Sequence, residues 1–281
     1  MGRKKLADLK AIRSTLEENE EDRQSDPSIP RRGLVYMDDS KKDDRVKVAI
    51  STGDVDRAKH VSTILPGMNN VPSEDINDHV KNAELVHKHA ADNAHISQDQ
   101  VATIAWMYDT PQGGQVVSSK YATKASHEIG SALEGMHAFR HTNGIERAHT
   151  SLLGHSYGST TAGKVAKLVR KGVLDDLVMY GSPGAGAHDA REYNLDHGRP
   201  YVSGIKSDDA VKGKGTLNSK FGNNPMFMPG VKHLANNSER DRSFFIPWKM
   251  FDRHSEYLEE GTSSLEDISR VVTNVPVKGE K

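Results

Sequence analysis

The stretch from Ala148 to Lys164, AHTSLLGHSYGSTTAGK, constrains the fold more than any other part of the chain. Ser151, Leu152 and Leu153 form an apolar run that suits a buried parallel strand and is too short for a helix of its own. Ala162, Val165, Ala166 and Val169 then recur at the spacing of one helix face. Between them, Gly154-His155-Ser156-Tyr157-Gly158 fits G-x-S-x-G. A strand that reverses into a helix within so few residues crowds its own backbone, so a side chain at either glycine is expected to clash. Such a turn leaves the Ser156 hydroxyl clear at the carboxyl edge of a sheet. It also aims the N–H of Tyr157, at the helix start, towards negative charge developing on a bound carbonyl. The plainer alternative is a small residue in a tight turn; the strand before it and the helix after it weigh against that.

A second motif overlaps the first. Gly158 to Lys164 fits the G-x-x-x-x-G-K core of a phosphate-binding loop, but Val165 stands where a Ser or Thr is needed to hold magnesium. Gly163 and Lys164 also fall in the middle of the expected helix, so a nucleotide-binding protein is the weaker reading.

The same strand and helix alternation runs along the chain. Gly33 to Met37 and Arg45 to Ile50 read as a hairpin at the edge of a sheet, and His60 to Leu65 as a third strand. Ser73 to His95 reads as a helix, Val101 to Met107 as a buried strand, and Tyr121 to His141 as a helix stopped by Asn143-Gly144. Strands are expected again at Leu177 to Tyr180 and Tyr201 to Ile205. A last apolar run, Ser243 to Met250, carries Pro247 and so suits an edge. Ser264-Leu265-Glu266-Asp267 is expected to open a terminal helix as a capping box. The order implies an α/β fold, with a mostly parallel twisted sheet, an antiparallel start and helices on both faces. Residues 1–30 are expected to form a charged helix packed on or extending from that body, with Leu6, Leu9, Ile12 and Leu16 as its apolar stripe, and residues 31–281 the main domain. Lys212 to Arg242 lacks periodicity and is expected to be a lid or substrate loop.

Composition excludes several classes. With 38 Lys and Arg against 39 Asp and Glu, no global field selects nucleic acid or an anionic membrane. There is no cysteine, which removes disulfides, thiolate nucleophiles and sulfur-ligated metals together. MGRKKLADLK has basic residues with no apolar segment behind them, and no window is apolar enough to span a bilayer, so a soluble, cytoplasmic protein is expected. His87 and His89 fall on different helix faces and add no pair with His79 or His95; solvated positions are expected for these histidines, and no metal or cofactor.

Residues at the carboxyl ends of the strands complete a candidate site. Pro66-Gly67-Met68-Asn69-Asn70 follows the third strand, where Gly67 admits close approach and Met68 is the expected second oxyanion donor beside Tyr157. Gly67, Asn69, His155 and Asp109 are expected to line the substrate site, although Asp109, before Thr-Pro, also suits a turn cap. Ser182 is a rival nucleophile, disfavoured because Pro183 follows it and no helix opens there. Asp208 and Asp209 follow a strand well after the serine, where a histidine-orienting carboxylate belongs, and His254 lies between the last apolar run and the last helix. His233, within the expected lid, is the rival base.

Together VATIAWMYDTP, GHSYGS, VMYGSPG and HSEYL resemble the α/β-hydrolase superfamily, in particular a bacterial branch of mostly undefined substrate, over Leu34 to Val272. The resemblance implies Ser156 as nucleophile, His254 as base and Asp209 as acid, since Asp209-Ala210-Val211 fits the acid-x-apolar pattern. Alanine stands where related sequences often carry proline, and the doubled aspartate keeps Asp208 in play. It further implies hydrolysis of a small-molecule or lipid ester through an acyl-enzyme. A silent hydrolase fold that binds acyl ligands without turnover is the other reading. Reaction of Ser156 with a serine-directed probe separates the two.

Overall fold

The structure is a computed structural model that describes residues 2–40, 44–196, 198–204, 220–235 and 256–279. Among these residues eight strands form one sheet: β1 (Arg32–Asp38), β2 (Lys47–Thr52), β3 (His60–Leu65), β4 (Val101–Met107), β5 (His149–His155), β6 (Asp176–Tyr180), β7 (Pro200–Ser203) and β8 (Lys232–His233), in the order β1-β2-β4-β3-β5-β6-β7-β8. β1 and β2 form the expected antiparallel hairpin at one edge, with the register shifting between Leu34 and Tyr36. β2 is antiparallel to β4, and every later pairing is parallel.

Among the described residues five α-helices accompany the sheet: α1 (Arg3–Ser25), α2 (Pro72–Ala94), α3 (Lys120–Thr142), α4 (Tyr157–Leu168) and α5 (Ser263–Val272). Successive strand residues divide between two cores. Ile104, Trp106 and Leu152 pack with Ile129 and Leu133 of α3 and Val165 of α4, whereas Ala105, Met107 and Leu153 pack with Val80 and Val86 of α2 and Ile268 of α5. Central strands buried on both faces read as continuous apolar runs. β4 and β5 were legible for that reason.

The structure adds detail that the sequence pattern does not carry. The apolar stripe of α1 carries its docking in part: Leu6 is exposed, but Leu9 and Leu16 pack half-buried against the core, and Ile12 is buried beside the polar Asp8, Thr15 and Asn19. Asp8 accepts from the backbone N–H groups of Val46 and Ser73 and pairs with Arg45 at 2.9 Å. Asn19 accepts from Arg32 N–H and donates to Pro30 O. Asp8→Ala strands two amide donors and removes the carboxylate partner of Arg45, which keeps its hydrogen bond to Ser73 Oγ, and is expected to cost about 3 kcal/mol in denaturant unfolding.

The cap of α5 is also different. Thr262 is the N-cap and accepts from Leu265 N–H, while the Ser264 hydroxyl donates to Tyr257 O. Asp267 is fully buried and accepts from the backbone N–H groups of Ala235, Lys278 and Gly279. Finally, β8 lies inside the segment expected to be a lid, because Lys232 and His233 join the ladder of β7. The apolar run Ser243 to Met250 lies outside the described residues.

Two of the four histidines expected to be solvated, His79 and His87, are buried instead, while His95 is exposed. His79 is buried with Nε2 3.1 Å from Ile64 O, and His87 is 1% exposed, its ring nitrogens without a well-formed hydrogen bond among the described residues. Both belong to the inward face of α2, which periodicity alone assigns to its apolar members. His89 points outward to Glu260, at 3.1 Å. Burial lowers the pKa of both His79 and His87 to about 4. The unfolded chain therefore binds these protons near pH 6.5 and the folded chain only near pH 4. Their neutral burial is fully tolerated above pH 6.5, and stability is lost as pH falls from there towards 4. Up to roughly 3 kcal/mol per histidine is expected. Unfolding midpoints between pH 7 and pH 4.5 should fall steeply for the wild type and less for His79→Gln.

Candidate active site

β5 ends at His155, and α4 starts at Tyr157, leaving Ser156 alone in the turn. Its backbone has φ +51° and ψ −125°, a conformation that L-residues rarely adopt. The glycines have the steric role expected of them. A Cβ at Gly154 meets Gly158 O and Ser159 Cα at 2.6 Å, and one at Gly158 meets Pro66 O at 2.5 Å and Leu65 O at 2.6 Å. The turn is fastened from both sides. Ser156 N–H donates to Tyr180 O at 2.9 Å, and Ser159 donates to Ser156 O through both its N–H and its hydroxyl.

Ser156 is 8% exposed, and its Oγ has no hydrogen-bond partner among the described residues. Gly67 faces it across the carboxyl edge of the sheet: a Cβ there lies 3.0 Å from Ser156 Cβ, 3.5 Å from Ser156 Oγ and 3.7 Å from His155 Nδ1. The loop after β3 and the turn after β5 therefore meet. The N–H groups of Tyr157 and Met68 have no acceptor among the described residues. Asn69, at φ +61°, is tied to the neighbouring loop: its N–H donates to Pro111 O and its Oδ1 accepts from Gly113 N–H. Asn69 braces the neighbouring loop. Asp109 is half-exposed and 3.7 Å from Lys124 Nζ, so it has a cationic partner on α3.

His155 stacks on Tyr180 at 5.2 Å, and Tyr257 closes against both rings. This aromatic cluster backs the turn. The Tyr157 side chain runs the other way, accepting from Ala122 N–H and donating to Ser118 O, which ties the start of α4 to α3. Burial pushes its phenol up to about 12, so it stays a neutral donor.

The rivals have structural roles. Ser182 is buried, its Oγ 2.6 Å from Ser159 Oγ and accepting from Gly184 N–H. Gly163 and Lys164 lie within α4, where no loop can wrap a phosphate. His233 belongs to strand β8, not to a loop. Asp208, Asp209 and His254 lie outside the described residues. Among the described residues no three His, Asp or Glu side chains gather as they would around a metal. Nor, among them, is any helix long and apolar enough to cross a membrane.

The sequence pattern gave no warning of Tyr108 and Thr161, which join the two loops of this site. A buried phenol needs a partner, but its identity follows only from the fold.

A family model described as alpha/beta hydrolase matches residues 41–219. The chain belongs to that family. An uncharacterised protein of Mycobacterium tuberculosis strain H37Rv is 30% identical to this hydrolase over 241 residues, covering 83% of this chain and 84% of its own. A second from the same strain is 34% identical over 184 residues, covering 62% of this chain and 26% of its own. Among solved structures, a hyperthermophilic esterase from the archaeon Pyrobaculum calidifontis matches with a TM-score of 0.52 and 10% identity, covering 94% of this chain and 93% of that one. At that identity the likeness shows the fold of the hydrolase, and its chemistry is argued from the residues.

Proposed function

We propose that this hydrolase is a serine esterase that acts on a carboxylic or lipid-like ester through an acyl-enzyme. The observation that carries the reading is the strained Ser156, held at φ +51° between β5 and α4 with a glycine loop against it. Strain at a non-glycine residue persists only where the surrounding fold over-determines it, and such residues cluster at active sites.

In this reading Ser156 Oγ attacks the ester carbonyl and His254 takes its proton. Asp209 holds the imidazole tautomer and stabilises the cation that forms. The N–H groups of Tyr157 and Met68 receive the oxyanion, each at the cost of no reorganisation because the backbone is already fixed. His254 returns the proton to the leaving alkoxide, and then activates the water that hydrolyses the acyl-enzyme. The roles of Asp209 and His254 rest on chain order, Ser then acid then His.

Hydrolysis of p-nitrophenyl esters of graded acyl length tests the reading. Wild-type turnover is expected to fall on the order of a thousandfold or more in His254→Ala and in Asp209→Asn, with Asp208→Asn close to wild type. Unchanged turnover in His254→Ala would remove the proposed base, and a loss in Asp208→Asn alone would move the acid by one residue.

A further inference from the structure

Tyr108 follows the last residue of β4, and its side chain is buried. Its hydroxyl makes two contacts that join otherwise separate parts of the site. It donates to Pro66 O at 3.1 Å and accepts from Thr161 Oγ1 at 3.2 Å. Pro66 immediately precedes Gly67 and Met68. Thr161 lies one turn beyond Tyr157 on α4, and its Oγ1 is also 3.5 Å from Tyr157 O.

A phenol has one proton to give, and a carbonyl can only accept. The polarity of the chain is therefore fixed: Thr161 to Tyr108 to Pro66. Burial raises the phenol pKa, so the donor is not lost at any ordinary pH. The surroundings leave this link little slack. Gly158 is already packed on the carbonyls of Leu65 and Pro66, and Thr110 Oγ1 donates to Asn70 O at the far end of the same loop.

We propose that Tyr108 is a positioning residue whose hydroxyl clamps the loop Pro66–Met68 to the first turns of α4, setting the separation of the Tyr157 and Met68 N–H donors. This rests on the serine esterase reading. Oxyanion donors act within a few tenths of an ångström of their productive place, so loosening the loop acts on the transition state more than on ground-state binding.

The test compares wild type, Tyr108→Phe, Thr161→Val and the double variant on one aryl ester. An alkylboronic acid, whose tetrahedral serine adduct places an oxygen in the hole, serves as the second probe. Tyr108→Phe keeps the ring and its packing. It is expected to lower kcat by about tenfold to a hundredfold with KM within about twofold, and to weaken the boronic acid by the same factor as kcat/KM. The apparent pKa of the pH profile should not move, because the base is untouched. Thr161→Val should act in the same direction, and the double variant should be no worse than the more damaged single one. A folded Tyr108→Phe with wild-type kcat and wild-type boronate affinity overturns the clamp. If Tyr108→Phe does not fold, Thr161→Val decides by the same two readouts. A folded wild type that neither hydrolyses the ester nor binds the boronic acid overturns the esterase reading itself, and the clamp with it.

Discussion

Replacing Ser156 with glycine is expected to abolish ester turnover while raising the melting temperature. Ser156 is held at φ +51° and ψ −125°, and its Oγ has no hydrogen bond among the described residues to offset the strain. Such a conformation costs a non-glycine residue about 1–3 kcal/mol, and glycine adopts it freely. Against that gain stands the extra freedom of glycine in the unfolded chain, about 0.4–1 kcal/mol. The strain is the larger quantity, so a net stabilisation of roughly 1 kcal/mol is expected, or about 2–4 °C at this size. Ser156→Ala is the control. It keeps the strained backbone, so it should lose at least about a thousandfold in turnover with a nearly unchanged melting point. A lower melting point for Ser156→Gly would mean that the hydroxyl is a structural group.

Gly163→Ala is expected to be severely destabilising although it lies within a helix. A mid-helix glycine normally gains up to about 1 kcal/mol on replacement by alanine. Here the new Cβ would stand 1.9 Å from Ala185 O and 2.8 Å from Ala185 C, inside the contact distance of backbone that cannot swing away. Overpacking typically costs about 1–3 kcal/mol and occasionally more, and a contact this short against backbone falls at the upper end, so the clash wins and α4 must shift. Turnover should fall too, because α4 begins at the Tyr157 N–H. Gly135→Ala provides the comparison: it is exposed on α3 with nothing within 4 Å of an added Cβ, and should stabilise by up to about 1 kcal/mol. Chemical unfolding of the two variants checks both signs. The same contact explains why G-x-x-x-x-G-K in this chain is not a phosphate loop: Gly163 is small so that α4 can touch the strand-connecting segment at Ala185.

The sheet was legible because its central strands are buried on both faces. Val101 to Met107 shows that directly, every residue being buried. The turn at Ser156 was legible because two glycines with backbone at 2.5–2.6 Å leave a signature in residue type. What stayed hidden was polar burial. Asp8 and Asn19 dock α1, and His79 and His87 face inward on α2; a hydropathy pattern counts each as a surface residue. β8 was hidden for another reason. Two residues carry no periodicity, and only the ladder to Tyr201 and Val202 makes Lys232 and His233 a strand. Tyr108 and Thr161 are 53 positions apart, so nothing local marks their hydrogen bond.

Labelling with a fluorophosphonate, followed by intact mass and peptide mapping, reads out whether Ser156 is an activated nucleophile. One adduct is expected on the wild type, on Ser156, with none in Ser156→Ala and strongly slowed formation in His254→Ala. A folded wild type that takes no adduct, or a Ser156→Ala protein that still takes one, would contradict the assignment of Ser156 as the nucleophile.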